Sequence, residues 1–587
     1  NGAKQLMEDL KTRFPADLDY VVSLDTTLAV TEGMKEIEHT LVEALVLVIL
    51  VVFVFLQGWR ATLIPLLAVP VSLVGTFMLF PMFGFSINTL SLFGLVLAIG
   101  LVVDDAIVVV EAVEHHIHQG LAPKEATFKA MEEVSGPVVA IAIILAAVFV
   151  PTAFIPGITG RLYQQFALTI AISVIISAIV ALSLSPALSS TLLQPHGHGS
   201  KGWLGRFFAG FNRVLDAATD RYIGLTSRFT HRPLRALAVL GVLVVLLVAL
   251  FRSVPGGFVP EEDQAYLMAN LQLPDAASLE RTHAAAAKVE AILAAEPAIE
   301  SYTTVTGYSF LSGASSTNNA FFFIQLKDWD ERPTVEDKAT NVAHRLNGKL
   351  AAVNEGIAIA FGPPAIPGLG TGSGFSIMLQ DRVGNSPDYL AEQTRAFMEA
   401  AGKRPEIAGL YTTYRATVPQ IYMDVDIQKT MKLGVAPADV NQTLGSFLGG
   451  AYVNDFNRFG RLYKVYVQAE SDYRKDLADA SLFYVRNAAG AMVPMNTLLT
   501  DESTNGPEFT YRFNMFRAAE VTGRPAPGYS SAQALKALEE VAAEVLPSDM
   551  SYAWNAMSYQ EKAAEGSGSM VFVMALVFVF LILAAQY

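Results

Sequence analysis

Few side chains in this sequence are placed to do chemistry, and two of them are adjacent. Asp104 and Asp105 stand in AIGLVVDDAIVVV, with unbroken apolar sequence on both sides. A carboxylate at the centre of a bilayer costs at least about 2.5–3.5 kcal/mol, so it persists where it faces a bundle interior and meets a counter-charge or titrates. Two close carboxylates cannot both ionise cheaply; one is expected to carry a raised pKa and to exchange its proton. Such a pair is a relay element for protons moving down their gradient. The competing reading is a pair that only fixes helix packing. An intramembrane aspartyl protease also needs two aspartates, but from separate helices that share one water. Adjacent residues on one helix diverge by about 100°, and no Gly-x-Gly-Asp pattern is present.

The other candidates carry weaker chemistry. Glu43 lies at the outer mouth of an apolar run, as a partner for a charge on another helix or as an interfacial residue. His115, His116 and His118 cluster at the inner end of the Asp104–Asp105 run, and His196 and His198 follow the fifth run. Metal binding by them is conceivable, but interfacial solvation is the stronger reading because no carboxylate or further ligand set surrounds them in sequence. Glycines 368, 370, 372 and 374 invite a phosphate-loop reading, yet no strand–loop–helix unit follows and no Lys is placed for it; they read as a linker. Without cysteine, disulfides, thiolate metal sites and cysteine catalysis are excluded. The segment Gly307–Asn319 (GYSFLSGASSTNN) combines aromatics with small residues, and AFFFIQL and AIAFGPP lie nearby. A mobile loop against an aromatic-lined cleft would suit varied apolar ligands, with core packing as the alternative for Phe321–Phe323.

The elements that must position these residues are mostly membrane spans. Of the 587 residues 52% are hydrophobic and 16% charged, against about a quarter charged in soluble chains. Apolar runs of near bilayer length extend from about Leu41 to Leu56, Thr62 to Phe80, Asn88 to Val113, Val134 to Ile155, Phe166 to Leu193 and Leu234 to Phe251. An incomplete seventh starts near Met570. Arg60, Lys124, Lys129 and the basic residues from Lys201 to Arg235 fall on one face, whereas the opposite short loops carry little beyond Arg161; the first face is therefore cytoplasmic. Trp203, Leu204, Phe207, Phe208, Phe211, Val214 and Leu215 recur at helical spacing among basic residues, which predicts an amphipathic helix on the inner membrane surface. The net charge of −14 and the lack of a basic run exclude a nucleic-acid partner.

Residues 252–568 are different. Short β-patterned runs (AYLMANLQL, NAFFFIQLKDW, QIYMDVDI, LYKVYVQAE) alternate with helical ones, which indicates two or three small α/β sandwiches jointed by FGPPAIPGLGTGSGF. The opening residues read as a helix, a strand (DYVVSLD) and a polar helix entering the first span. The order strand, polar linker, apolar helix returns at MSYAWNAMSYQE and the closing VFVMALVFVFLILAAQY, as in a protein of two equivalent halves. Asn1 opens inside a helical pattern and the last residues stop inside a hydrophobic one, so the chain reads as an internal fragment.

FLQGWRATLIPLLAVPVSLVGTF, GFSINTLSLFGLVLAIGLVVDDAIVVVE, QLKDWDERP, GGAYVNDF and MSYQE resemble the resistance–nodulation–division superfamily. Within it they resemble the hydrophobe/amphiphile multidrug efflux pumps of Gram-negative bacteria, over essentially the whole chain. The resemblance implies a polytopic α-helical bundle plus α+β (ferredoxin-like βαβ) periplasmic porter subdomains. On it, residues 1–35 end a first porter lobe and 36–193 hold spans two to six. Residues 194–233 form a cytoplasmic linker with the surface helix, and 234–252 span seven. A porter subdomain covers 253–366, and a second covers 367–420 and 510–566. A docking insertion covers 421–509, and 567–587 begin span eight. The implied protein is a homotrimeric inner-membrane drug/proton antiporter, a transporter and not an enzyme, without a cofactor or bound metal and driven by protons. It would work with a periplasmic adaptor and an outer-membrane channel on amphiphilic small molecules. Asp104 and Asp105 match the family's proton-relay pair, whose Lys and Arg partners belong to spans beyond this chain. Tyr308 and Phe310, with Gly307 and Gly313, match the switch loop, Tyr308 replacing an expected Phe. Phe323 and Phe361 match binding-pocket phenylalanines, and Thr303 stands where a pocket Phe is common. Metal-ion exporters of the superfamily are the nearest rival, but they show Asp-Ala-Ala-Ile where this chain has Asp-Asp-Ala-Ile.

Overall fold

The computed structural model describes the chain except residues 1, 156, 195–202, 254–256, 258, 260, 261, 566 and 587. His196 and His198 thus lie outside the described residues. A short helix, α1 (Gly2–Lys11), precedes a series of long apolar ones: α2 (Leu28–Leu56), α3 (Trp59–Phe83), α4 (Thr89–His118), α5 (Pro123–Phe149) and α6 (Gly157–Leu192). After α7 (Trp203–Thr230) comes α8 (Pro233–Ser253). Six of these are long and apolar enough to cross a membrane among the described residues: α2 to α6 and α8. They outrun the apolar cores because polar turns extend them, as TEGMKEIEHT does for α2.

Close approach in the bundle relies on small residues, the usual basis of helix contact in lipid. A Cβ on Gly94 of α4 would come within 3.1 Å of the Phe166 carbonyl of α6. Thr76 of α3 donates to Ser173 of α6 at 3.1 Å, and Ser177 of α6 donates to the Val102 carbonyl of α4 at 3.0 Å. The start of α4 is fixed by a reciprocal cap, in which the Asn88 side chain accepts from Ser91 N–H and the Ser91 hydroxyl accepts from Asn88 N–H. Helix α7 sets its aromatic side against the end of α2: Phe208 meets Phe53 and Phe211 meets Phe55, with ring centroids 6.0 and 5.3 Å apart. Helix α8 is exposed along almost its whole length.

Beyond the bundle, β1 (Tyr266–Gln272), α9 (Leu279–Ala294), β2 (Ile299–Ser309), β3 (Ala314–Leu326), α10 (Ala339–Leu350) and β4 (Ile357–Phe361) form one unit. Its sheet order β2-β3-β1-β4 is antiparallel throughout, the ferredoxin-like arrangement of two split βαβ motifs. Period-2 alternation turns Leu267, Ala269, Leu271, Phe322 and Ile324 into a core against α9 and α10. A second unit repeats the pattern with β5 (Phe375–Asp381), α11 (Pro387–Ala401) and β6 (Ile407–Tyr411). Between β6 and the rest of that sheet lie β7 (Val418–Val425), α12 (Ile427–Lys432), α13 (Pro437–Leu444), β8 (Ala451–Arg458), β9 (Arg461–Val467), β10 (Tyr484–Arg486), β11 (Met492–Pro494) and β12 (Leu499–Gly506). Their own small core gathers around Val440, Phe483 and Met495, and β7 pairs with β12 as its two-stranded stem. Then β13 (Tyr511–Phe513), β14 (Phe516–Pro525), α14 (Ser531–Val545) and β15 (Met550–Trp554) complete the second sheet, before α15 (Ala556–Ala564) and the apolar α16 (Ser567–Gln586).

Two expectations fail here. Residues 19–25 form no strand. A strand needs a ladder partner; β15 finds β5, whereas among the described strands none pairs with DYVVSLD, which leaves Val21 80% exposed. The first copy of the strand–linker–helix repeat therefore lacks its strand. Gly307–Asn319 is also not an open loop. It is the end of the β2–β3 hairpin, with Tyr308 opposite Ser315, Ser309 opposite Ala314 and only residues 310–313 left as the tip. Serines and threonines tolerate a pleated ladder as well as a turn, and cross-strand pairing decides between them.

Candidate functional site

The first candidate site is the middle of α4. Asp104 and Asp105 sit about halfway along this 30-residue helix, roughly 20 Å of helical rise from either end. Being neighbours, their side chains diverge: Asp104 is exposed and Asp105 is buried, at 5% exposure. Both line a cavity of about 300 Å³ between α4, the Leu47–Val52 stretch of α2, and Ile141 and Leu145 of α5. Gly100, one turn earlier on α4, has open space where a Cβ would stand and lines the same cavity. Asp105 Oδ2 has no hydrogen-bond partner among the described residues. Among the described residues the ion pairs on these helices are Lys35–Glu32, His39–Glu43 and His116–Glu133, and none engages either aspartate. A buried carboxyl oxygen without a partner is costly in so apolar a place. The arrangement sets one carboxyl in the packed interior and the next on the exposed wall of the same cavity.

His116 corrects the reading of the histidine cluster. It is buried, and its Nε2 lies 3.1 Å from Glu133 Oε2 on α5. No pattern along the chain signals this carboxylate, because the pair joins two helices. Glu43 pairs with His39 one turn away on α2, at 3.4 Å. Among the described residues no group of three or more His, Cys, Asp or Glu side chains is placed to hold a metal ion.

The second candidate site lies on the face of the first sheet opposite its core. There Met268 stands opposite both Phe323 and Phe361, and Phe310 reaches in from the hairpin tip. Phe310 and Phe321 lie tilted at 30° with centroids 4.9 Å apart, Phe321 and Phe323 meet edge-on at 5.0 Å, and Phe361 lies 6.4 Å from Phe321. The three consecutive phenylalanines are thus divided by the pleat: Phe322 belongs to the core, while Phe321 and Phe323 face the other side. Leu24, from the segment that forms no strand, packs on this cluster. Gly307 takes φ +84° at the β2 bulge between Thr306 and Tyr308, a conformation that favours glycine. Gly313, at φ +67°, closes the tip. Tyr308 pairs with Ser315 and joins none of the ring contacts above, and Thr303 stands opposite Phe323. Tyr266, Ile359 and Phe361 line one side of a cleft of about 740 Å³, whose far side is formed by Arg524–Ser531 and by Met557 and Glu561. Burial pushes the Glu561 carboxyl up despite the opposing Ser531 hydroxyl and Lys562. Glycines 368, 370 and 374 take positive φ in the connection between β4 and β5, so they join two sheets and open no helix.

Comparison with known proteins gives one consistent result. The model of the AcrB/AcrD/AcrF family matches residues 1–587. The multidrug/solvent efflux pump membrane transporter MepB of Pseudomonas putida is 40% identical over 591 residues, covering 100% of this chain and 56% of that protein. The toluene efflux pump membrane transporter TtgB, also of Pseudomonas putida, shows the same identity and coverage, 40%, 100% and 56%. The multidrug export protein AcrF of Escherichia coli (strain K12) is 40% identical, with 100% of this chain and 57% of that protein aligned. The chain therefore spans a little over half the length of the curated relatives it matches.

Proposed function

Because this chain belongs to the AcrB/AcrD/AcrF family of the resistance–nodulation–division superfamily, we propose that it is part of a proton-driven exporter of amphiphilic and hydrophobic compounds. It is a multi-pass membrane protein with α+β units between its spans. In this reading the protein is a secondary active antiporter of the Gram-negative inner membrane, and the α+β units stand in the periplasm. A homotrimer works with a periplasmic adaptor and an outer-membrane channel, the segment 421–509 docks the latter, and no cofactor other than the proton gradient is needed.

The observation that carries the proposal is the aspartate pair in mid-helix, one member buried without a partner and both lining a cavity. A proton taken up there removes a charge from the membrane interior. Its release restores the charge, so the two protonation states favour different helix packing. Differential stability of two packings is what drives a transport cycle. The cleft lined by Tyr266, Phe361, Phe375 and Tyr411 supplies apolar and aromatic surface for cargo. The chain of 587 residues, a little over half the length of its curated relatives, is expected not to pump alone.

The test uses the complete reading frame in an efflux-deficient Gram-negative host. Asp104→Asn and Asp105→Asn are each expected to bring accumulation of an amphiphilic dye to the level of cells without the pump, at unchanged membrane abundance. Unaltered efflux in either variant would sink the relay.

A further inference from the structure

Helix α7 runs for 28 residues between two spans, α6 and α8, and its charges are sorted around its axis. Arg206, Arg213, Arg221 and Arg228 follow one another at intervals of seven, eight and seven residues. At about 100° per residue they fall within an arc of about 80°, one every two turns and about 10–12 Å apart along the axis. Val214, Leu215, Tyr222 and Leu225 share the apolar side, and the arginine arc borders it. Asp216 and Asp220 lie beyond the arginines, on the side turned from the apolar residues. Arg232 follows the helix and Arg235 opens α8, so the stretch 203–235 carries six arginines against two aspartates, in a chain whose net charge is −14.

The roll of α7 is fixed near its start. Phe208 and Phe211 pack on Phe53 and Phe55 at the end of α2, and the side-chain amides of Gln57 and Asn212 exchange hydrogen bonds at 2.5 and 3.3 Å. The helix therefore lies at the level where α2 ends, on the face that carries the basic loops. Past this anchor its apolar side is open: Val214 and Tyr222 are 70% and 68% exposed. The four arginines are exposed as well, and none of their side chains enters an ion pair or hydrogen bond among the described residues. On a helix lying along a membrane, the apolar side enters the acyl region and the residues bordering it stand at head-group depth. Trp203 shares the arginine border, and that depth is where tryptophans of membrane proteins collect. Guanidinium groups there meet phosphate, which they bind with two parallel N–H donors.

We propose that Arg206, Arg213, Arg221 and Arg228 form a docking surface for anionic phospholipid. Each guanidinium takes a head-group phosphate of the leaflet on which α7 lies, while Val214, Leu215, Tyr222 and Leu225 enter the acyl region. The row selects lipid by net charge. A phosphatidylglycerol head leaves its phosphate uncompensated, whereas the choline of phosphatidylcholine repels the arginines. This surface goes beyond the export reading and stands or falls without it, since a failed relay test leaves lipid binding untouched.

Tryptophan quenching tests the row in the purified full-length protein, held in phosphatidylcholine nanodiscs that contain a minority of lipid with brominated acyl chains. The brominated lipid is either phosphatidylglycerol or phosphatidylcholine, and the signal of Trp203 is isolated by subtracting that of Trp203→Phe. Quenching is expected to be at least about twofold stronger with the brominated phosphatidylglycerol. Raising the salt from about 0.1 to 1 M shortens the screening length from about 10 to about 3 Å. That should bring the preference close to unity and leave quenching by phosphatidylcholine unchanged. Joint replacement by Arg206→Gln, Arg213→Gln, Arg221→Gln and Arg228→Gln should do the same at low salt. A second reporter, Tyr222→Trp in the Trp203→Phe background, should show the same preference beside the later arginines. Equal quenching by the two lipids at low salt would overturn the surface, as would a preference that survives both salt and the glutamine replacements. Absence of quenching by either lipid would show that protein covers the apolar side of α7, and would overturn it too. The salt series needs no variant, so it decides even if the fourfold replacement fails to fold.

Discussion

Asp105 and Glu296 are buried alike, at 5% and 2% exposure, and their surroundings are opposite. Glu296, just past the end of α9, accepts from Arg345 at 2.5 Å and from Lys349 at 2.8 Å. Burial pushes its pKa up, but the two cations outweigh burial and hold the carboxyl below its ordinary value. Asp263 is similar, held by a two-pronged Arg332 at 2.5 and 2.7 Å and by the Ala339 N–H at 2.8 Å. Asp105 has, among the described residues, no cation and one wholly unpartnered oxygen. The α+β units use buried carboxylates as fasteners, whereas the bundle keeps one unfastened. A paired charge rigidifies; an unpaired one at membrane depth is free to titrate. Asp105 and Glu296 are thus separated by their counter-ions and not by their burial.

The comparison breaks most visibly if stability and transport are measured on the same substitutions. Asp105→Asn removes a carboxylate that no cation among the described residues neutralises, so the melting temperature of this chain should stay the same or rise, while transport by the complete protein is lost. A marked fall in melting temperature would make Asp105 a fastener after all. Asp263→Asn should behave inversely. It leaves Arg332, with 2% of its side chain exposed, as a buried cation without its partner. The expected cost is about 3–5 kcal/mol, read by chemical denaturation of the purified protein, and replacing Arg332 as well should recover part of it. A loss below about 1 kcal/mol would show that the pair fastens nothing.

Acid should separate the two regions next. Burial alone would raise the Asp263 carboxyl, but the Arg332 guanidinium and the N–H groups of Ala339 and Ala265 hold it below the ordinary aspartate range. A carboxyl depressed in the folded state contributes stability that is complete above the unfolded pKa and is lost as pH falls through the folded one. Unfolding of the α+β units should therefore grow easier below about pH 4, and Asp263→Asn should flatten that limb. A limb of undiminished steepness in the variant would mean that other carboxylates carry it.

How much of this could be read from sequence depends on the reach of each interaction. The spans were legible because a bilayer demands long apolar runs and the chain supplies them in one piece. The aspartates were legible for the same reason, since their cost is local. His116 and Glu133 were not, because 17 residues and a helix turn separate them. The hairpin at 307–319 looked like a loop because its small polar residues are turn formers, and register alone makes them strand. The strand expected at 19–25 failed in the other direction, having the right alternation and no ladder to join. Asn270 and Asn319 were the least visible: neither is unusual on its own strand, and they line one recess only because β1 and β3 pair in one particular register.

The smallest expected effect tests the other limit of the comparison. Lys475 and Asp472 pair at 3.2 Å, three residues apart, with 63% and 81% of their side chains exposed. Water already solvates both charges, and holding two long side chains together costs conformational entropy that the screened attraction barely offsets. Lys475→Ala should leave the melting temperature unchanged within about 1 °C, and transport likewise. If it shifted stability as far as Asp263→Asn, exposure would not be what silences an ion pair here. The contrast between fastened and free carboxylates would then need a different cause from burial with or without a counter-ion. If it shifts neither, the three positions order as their solvation predicts: functional where the charge is buried alone, structural where it is buried in company, and silent where water reaches both partners.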